Sequence, residues 1–322
     1  MNTPNVSAAL HRNSFLVIGR AGLDLYADPP GTEIEVATQF SAALGGSAAN
    51  IAVAITRQGG KTALLTAVSQ DAVGRFTLKS LATYGVDTQF IQTVDGEARN
   101  SLAVVETRSE NCQSVIYRNN AADFQVTQAD VEVIDFAPFA AVIVTGTALA
   151  QEPSRSATFK AMQMAKDVGL VLIIDIDYRP YSWTSNAEAQ QVCSKAAEMC
   201  DIIVGNDEEF AVLADGKSGL EWAEKLSRKP TCLVVYKMGG KGCITFANGG
   251  PFETPVFKVK ALKPTGAGDG FMGGFIAGLV AGEPLPDAVR RGAATAALVV
   301  TRVGCAPAMP DTGQVKLFMQ QA

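Results

Sequence analysis

The chain has 322 residues, 48% of them hydrophobic and 18% charged, which gives room for a sizeable core and excludes a disordered chain. A formal net charge of −5 argues against general nucleic-acid or anionic-membrane binding, so an anionic substrate has to be captured by local Arg or Lys. The six cysteines (Cys112, Cys193, Cys200, Cys232, Cys243, Cys305) show neither a CxxC pair nor metal-ligand spacing, and read as free thiols in a reducing cytoplasm.

Residues 1–13 lack the apolar segment of a signal peptide and read as a disordered leader. His11, the only histidine, lies on it, which leaves no histidine for nucleophilic or metal chemistry elsewhere. Phe15–Gly19 reads as a buried strand, ending in Gly19-Arg20-Ala21-Gly22-Leu23-Asp24. A dinucleotide fingerprint would need G-x-G-x-x-G at this point, and only Gly19 and Gly22 are there. A mixed stretch with the turn Pro29-Pro30-Gly31 leads to Gly45-Gly46-Ser47-Ala48-Ala49-Asn50 and a helix over about 48–57, with Asn50 on its first turn. A strand over Lys61–Ser69 and a helix over Ala72–Tyr84 follow, the helix stopped by Gly85.

Two β-like runs, Asn100–Thr107 and Gln113–Asn119, form a hairpin around Ser109-Glu110-Asn111. It interrupts the β-α alternation, so it is assigned to a small separate sheet shared with residues near Glu33–Phe40. Alternation then resumes. Strands are expected at Ala141–Val144, Leu170–Asp175, Asp201–Val204 and Thr231–Tyr236, and helices over about 153–168, 187–200 and 220–226. This order implies an α/β fold: a mostly parallel sheet covered on both faces, with ligands at the carboxyl ends of its strands.

Those strand ends carry the polar residues. One closes with Asp175-Ile176-Asp177-Tyr178-Arg179-Pro180. The next closes with Asn206-Asp207-Glu208-Glu209, which as plain sequence is also a good helix start. Lys237-Met238-Gly239-Gly240-Lys241-Gly242 then turns into a strand over Cys243–Ala247 and is not a Walker A loop. Near the end, Lys263-Pro264-Thr265-Gly266-Ala267-Gly268-Asp269-Gly270-Phe271 stops an extended segment and opens an apolar helix. Unpaired N–H groups and the helix dipole at such a start attract an anion. A carboxylate at its mouth would repel a phosphate, unless it serves to take a proton from a hydroxyl that attacks that phosphate. Asp269 is also an ordinary capping residue, and both readings stand at this point. After Pro284 and Pro286 a last helix runs from Asp287 to about Thr301.

Gly45-Gly46-x-x-x-Asn50 and Thr265-Gly266-Ala267-Gly268-Asp269, taken together, resemble the paired signatures of the ribokinase-like (PfkB) carbohydrate kinases. The resemblance runs from about Phe15 to about Pro310. It implies a single ribokinase-like kinase domain over 14–310: a three-layer α/β/α fold with a small β-sheet lid built from insertions at about 25–44 and 97–121. It further implies that Asp24, Gly45, Gly46 and Asn50 hold the sugar, that Asp269 is the base, and that the amides of Gly266, Ala267 and Gly268 form the anion hole. Lys237, Gly239, Gly242, Thr265, Gly266 and Gly268 would contact ATP, and Asn206 and Glu209 would position Mg²⁺ through water. A homodimer through the lid is a further expectation.

Lys263-Pro264 departs from the Asp-Thr that the family commonly has before Thr-Gly-Ala-Gly-Asp. With Asn120-Ala121-Ala122-Asp123 and Asp175–Pro180, it resembles the branch that phosphorylates 5-dehydro-2-deoxygluconate in inositol catabolism. The 2-keto-3-deoxygluconate kinases and the fructokinases are the alternatives within the family. A non-catalytic sugar-binding protein of the same fold is the alternative of another class. Arg118 and Arg179 are the residues expected to meet a sugar acid.

Overall fold

The structure, a computed structural model, describes residues 6, 8–229 and 232–321. In chain order its first strands and helices are β1 (Ser14–Ile18), β2 (Gly22–Asp28), β3 (Gln39–Gly45), α1 (Ser47–Arg57), β4 (Lys61–Ser69), α2 (Ala72–Thr83) and β5 (Ile91–Val94). The chain continues through β6 (Ser101–Val105), β7 (Ser114–Tyr117), α3 (Gln128–Glu132), β8 (Ala141–Thr145), α4 (Ser154–Asp167), β9 (Val171–Asp175), α5 (Asn186–Met199) and β10 (Ile202–Asn206). It ends with α6 (Asp207–Leu213), α7 (Gly219–Ser227), β11 (Leu233–Lys237), β12 (Cys243–Phe246), β13 (Phe252–Thr254), α8 (Ala267–Val280), α9 (Leu285–Val300) and α10 (Thr312–Gln321).

Nine strands form the main sheet, in the order β13-β12-β11-β10-β9-β8-β1-β4-β5. Every pair from β11 to β5 is parallel, and only β12 and β13 run antiparallel. Buried on both faces, the central strands are apolar throughout rather than alternating. In β1, Phe15 and Val17 pack in the core shared with α1, α8 and α9, while Leu16 and Ile18 pack in the core shared with α4 and α5. The sheet is thus the middle of three layers, and its carboxyl edge is where Asp175, Asn206 and Lys237 end their strands.

The second sheet has the order β3-β2-β6-β7. Asp24 and Tyr26 alternate with Leu23 and Leu25 along β2, so the sheet turns a mixed inner face, Asp24 and Tyr26 beside Ala103 and Val105, to the main domain and an apolar outer face away from it. The first lid segment differs from the sequence-based expectation. Residues Ile34–Val36 make a 3₁₀ turn, the strand is displaced to Gln39–Gly45, and Asp24 sits inside β2 rather than in a turn after β1. The lid's pattern is weak in sequence because its first strands carry Asp and Ser on the ligand side.

Three further corrections apply. The expected disordered leader is helical where it is described: Leu10 is fully buried and Val6 nearly so, both packed in the core beside α1 and α8, while His11 stays exposed. Residues 1–5 and 7 lie outside the described residues, as does Thr231 of the strand expected to start there. The last predicted helix starts earlier, at Leu285, because Pro286 falls in its first turn, where a missing N–H costs nothing. A further helix, α10, follows it.

Candidate active site

A single cleft of about 940 Å³ runs between the carboxyl edge of the main sheet and the inner face of the lid. Asp24, Tyr26, Ala103, Val105, Ser114 and Ile116 of the lid line one end. The other end is lined by Gly239, Val256, Phe257, Ala297 and Val300, an apolar slot of the kind that takes a flat ring. Asp269 lies between them.

At the centre, α8 starts at a backbone position only glycine adopts without strain. Gly266 has φ +82°, and a Cβ there would come within 2.9 Å of the Cys305 Sγ. The N–H of Ala267 reaches back to the Pro264 carbonyl at 3.4 Å. Those of Gly266 and Gly268 have no backbone acceptor among the described residues, and the buried Thr265 Oγ1 has no partner either. Lys237 Nζ comes within 3.3 Å of the point a Gly268 Cβ would occupy. The turn therefore gathers groups that attract an anion: amide donors, a helix N-terminus and an ammonium.

Asp269 sits on the first turn of that helix and accepts a hydrogen bond from Asn50 Nδ2 at 2.9 Å. Burial, and then the nearby Asp177 and Asp175, push its carboxyl up to about 7, against the opposing effects of Asn50 and Arg179. That suits a group that must take up a proton near neutral pH. α1, which carries Asn50, starts from Gly46 at φ +99°, where a Cβ would run into the Arg20 carbonyl at 2.3 Å. Gly45 in turn passes so close to Asp24 that any Cβ would overlap its Oδ1. Glycines here let the loop lie flat on the strand that carries Asp24. That carboxyl is raised by burial, accepts from Tyr26 Oη at 3.1 Å, and has its Oδ1 buried without a partner.

Around this centre the acids and cations of the strand ends interlock. Asp177 accepts from Ser47 and, at 3.1 Å, from Thr147 Oγ1, and pairs with Arg179 at 2.9 Å. Asp175 faces Lys237 at 3.7 Å. Burial disfavours the charge on Lys237, yet Asp175, Glu209 and Asp269 hold its pKa above the ordinary lysine value. Asn206 and Glu209 form a reciprocal cap on α6: Glu209 Oε2 accepts the Asn206 N–H at 2.7 Å, and Asn206 Oδ1 accepts the Glu209 N–H at 2.9 Å. The Glu209 carboxyl is pushed up to about 7, chiefly by burial and then by Asp175. Arg118 is buried, stacked 4.0 Å from the Phe124 ring centre and paired with Asp123; its Nη2 also donates to the Thr147 carbonyl at 3.0 Å, and its Nη1 has no partner.

Residues 12–312 match the pfkB family carbohydrate kinases. The chain belongs to this family. It is 38% identical over 301 residues to 5-dehydro-2-deoxygluconokinase of Photobacterium profundum, an alignment covering 92% of this chain and 91% of that one. It is 28% identical to the fructokinase of Vibrio cholerae O395 in its fructose-, ADP- and calcium-bound form, with TM-score 0.83 and coverage of 95% and 99%. A putative ribokinase II from E. coli, 21% identical with TM-score 0.86, shares the fold, covering 96% of this chain and 99% of that one.

For a pfkB chain the sequence-derived residues gather well. Asp24, Asn50, Arg118, Arg179, Asn206, Glu209, Lys237, Gly239, Gly242, Thr265, Gly266, Ala267, Gly268 and Asp269 all line the one cleft. Gly45 and Gly46 lie beneath it, shaping the loop. Asn206 and Glu209 do act as a helix cap, the alternative reading of that stretch, while still lining the cleft. Arg179, expected to meet a sugar acid, is paired with Asp177 while still lining the cleft. Sequence reasoning missed Arg20, Ser47 and Thr147 in the pocket wall, and the pairing of Asp175 with Lys237. Arg20 had a signal: a cation immediately after a buried strand, at an edge where ligands bind.

No cluster of three or more acidic, His or Cys side chains able to hold a metal occurs among the described residues. This donor set fits Mg²⁺ better than a cage-bound ion, because Mg²⁺ keeps several waters and takes one or two carboxylates alongside substrate phosphates. Glu209, with Asn206 beside it, is the group that could hold its water shell. The unpartnered Thr265 Oγ1 and the amide turn fit a polyphosphate.

Proposed function

We propose that the protein is an ATP-dependent sugar-acid kinase that phosphorylates the terminal hydroxyl of 5-dehydro-2-deoxygluconate. The reading rests on one observation above all: a part-buried carboxyl, Asp269, held by Asn50 at the mouth of an amide-lined helix start. ATP lies with its base in the apolar slot and its γ-phosphate at the Gly266–Gly268 turn. Asp24, Asn50, Arg118 and Arg179 hold the sugar, on the loop shaped by Gly45 and Gly46. Asp269 takes the proton of the hydroxyl, whose oxygen attacks the γ-phosphorus as the bond to the bridging oxygen breaks and ADP departs. The turn amides and Lys237 stabilise charge on the transferred group, and the pocket supplies position rather than covalent chemistry. Asn206 and Glu209 would hold Mg²⁺ through water, and the ion would supply neutralisation of phosphate charge.

The substrate follows from the 38% identical relative and from the arginines at the sugar end. On this reading the enzyme works in the cytoplasm, in myo-inositol catabolism. A second copy of the chain fits the outer face of the lid. There Phe40, Val115 and Tyr117 are exposed at 40%, 45% and 59%, with Leu23, Leu25, Leu102 and Val104 between them. A sheet with one apolar face in water gains by covering it.

The test is ADP release from ATP with 5-dehydro-2-deoxygluconate, 2-keto-3-deoxygluconate, fructose and ribose, with and without Mg²⁺. The expected result is the highest kcat/KM on the first of these and activity only with a divalent ion. Preference for fructose or ribose would overturn the substrate. Sugar binding without ADP release would make the protein a binding protein.

A further inference from the structure

Three guanidinium groups reach the sugar end of the cleft: Arg20, Arg118 and Arg179. Two are already matched. Arg118 is paired with Asp123, and Arg179 with Asp177 at 2.9 Å. Arg20 differs. It is 8% exposed, and no carboxylate lies within 4.0 Å of its side-chain nitrogens among the described residues. Its one side-chain hydrogen bond there goes from Nη1 to a neutral group, Ser101 Oγ, at 3.0 Å. Asp24 acts on it only from beyond contact distance. A buried, unmatched charge is costly, and proteins keep one where a ligand supplies the counter-charge.

The backbone around Arg20 is also fixed. Its carbonyl accepts the Ala49 N–H at 3.3 Å and lies against Gly46, so Arg20 is tied to the Gly45-Gly46 loop and to the start of the helix bearing Asn50. Ser101 on β6 anchors the guanidinium from the lid side, so lid and main domain both set its orientation. We infer that Arg20 is the residue that reads the substrate's carboxylate, its planar fork making parallel hydrogen bonds to the two oxygens. Arg118, with its single unpartnered nitrogen, and Arg179 are left to hydroxyl or keto oxygens, since their charges are spent on Asp123 and Asp177. This assignment rests on the sugar-acid reading above.

The experiment compares wild type, Arg20→Gln and Arg20→Lys for kcat and KM on 5-dehydro-2-deoxygluconate and on fructose, with ATP binding by calorimetry as the check on folding. Losing a charge-assisted hydrogen bond to the acid should lower kcat/KM for it roughly 10- to 150-fold in Arg20→Gln. The loss should fall mainly on KM, because the carboxylate is remote from the reacting hydroxyl. Arg20→Lys should lose less, and both variants should lose far less on fructose. Equal losses on the two substrates, or an unchanged KM for the acid, would overturn the inference. Should Arg20→Gln fail to bind ATP, Arg20→Lys, which keeps charge and stem, decides by the same comparison. A wild type that prefers fructose would defeat the sugar-acid reading itself. A wild type that prefers the acid, with variants that keep that preference, would defeat only the role of Arg20.

Discussion

On the proposed mechanism Asp269 has to meet two demands that conflict in water: to be ionised so that it accepts a proton, and to sit beside phosphate. Burial and the facing Asp177 and Asp175 raise its carboxyl to about 7, while the Asn50 amide, 2.9 Å away, favours the ionised form. The base works only when deprotonated, so kcat/KM should rise with pH through about 7 and then level off. Removing the Asn50 amide in Asn50→Ala takes away a charge-stabilising bond, and the rising limb should move to higher pH. Asp269→Asn should lower kcat by ~10²–10⁴-fold while ATP still binds. Glu209 titrates in the same range, so the profile is to be recorded in Glu209→Gln as well. A limb that vanishes in Glu209→Gln but persists unmoved in Asn50→Ala would assign it to Glu209 instead.

At the scale of elements, the junction of β10 and α6 makes one motif serve two ends. The reciprocal cap between Asn206 and Glu209 starts a seven-residue helix, too short to be stable alone, and points a carboxyl into the cleft. Gln at this position also completes a capping box, so Glu209→Gln should retain the fold. It should raise the Mg²⁺ concentration needed for half-maximal activity, with the sugar KM little changed. Mg²⁺ titrations of the two proteins check this: superimposable curves would reduce Glu209 to a cap.

For the whole molecule, the lid is the least independent part. Its four strands bury their inner face only over the cleft, and Tyr26, Ala103, Val105 and Cys305 form a small core that joins it to the loop after α9. The outer face stays apolar and open. If a second copy covers it, Val115→Lys with Tyr117→Lys should convert a dimer into a monomer in sedimentation equilibrium. A wild type already monomeric at micromolar concentration would rule out the pairing. The charge should also weaken sugar binding, because a lid without its partner is held less firmly over the pocket.

Local physics determined much of this protein from its sequence. Apolar runs separated by helical spacing give a parallel sheet with two covered faces, and glycines at 45, 46 and 266 mark turns or close approaches that no other residue makes cheaply. Asp269 was legible as a candidate base because its turn is paired with Gly45-Gly46-x-x-x-Asn50; taken alone it reads equally as a helix cap. What the sequence could not hold is which charges meet. Arg179 and Asp177 are two residues apart, so their pairing was open to a reader of the sequence. Arg118 and Asp123 are five residues apart, whereas Lys237 and Asp175, and Asn50 and Asp269, meet only because strand order brings distant segments to one edge. The lid's first strands were misplaced for a related reason: their alternation is set by a cleft on one side and an uncovered face on the other, and neither exists until the chain has folded. Ionic matching is a property of proximity in space, and it left the buried Arg20 without a carboxylate partner among the described residues.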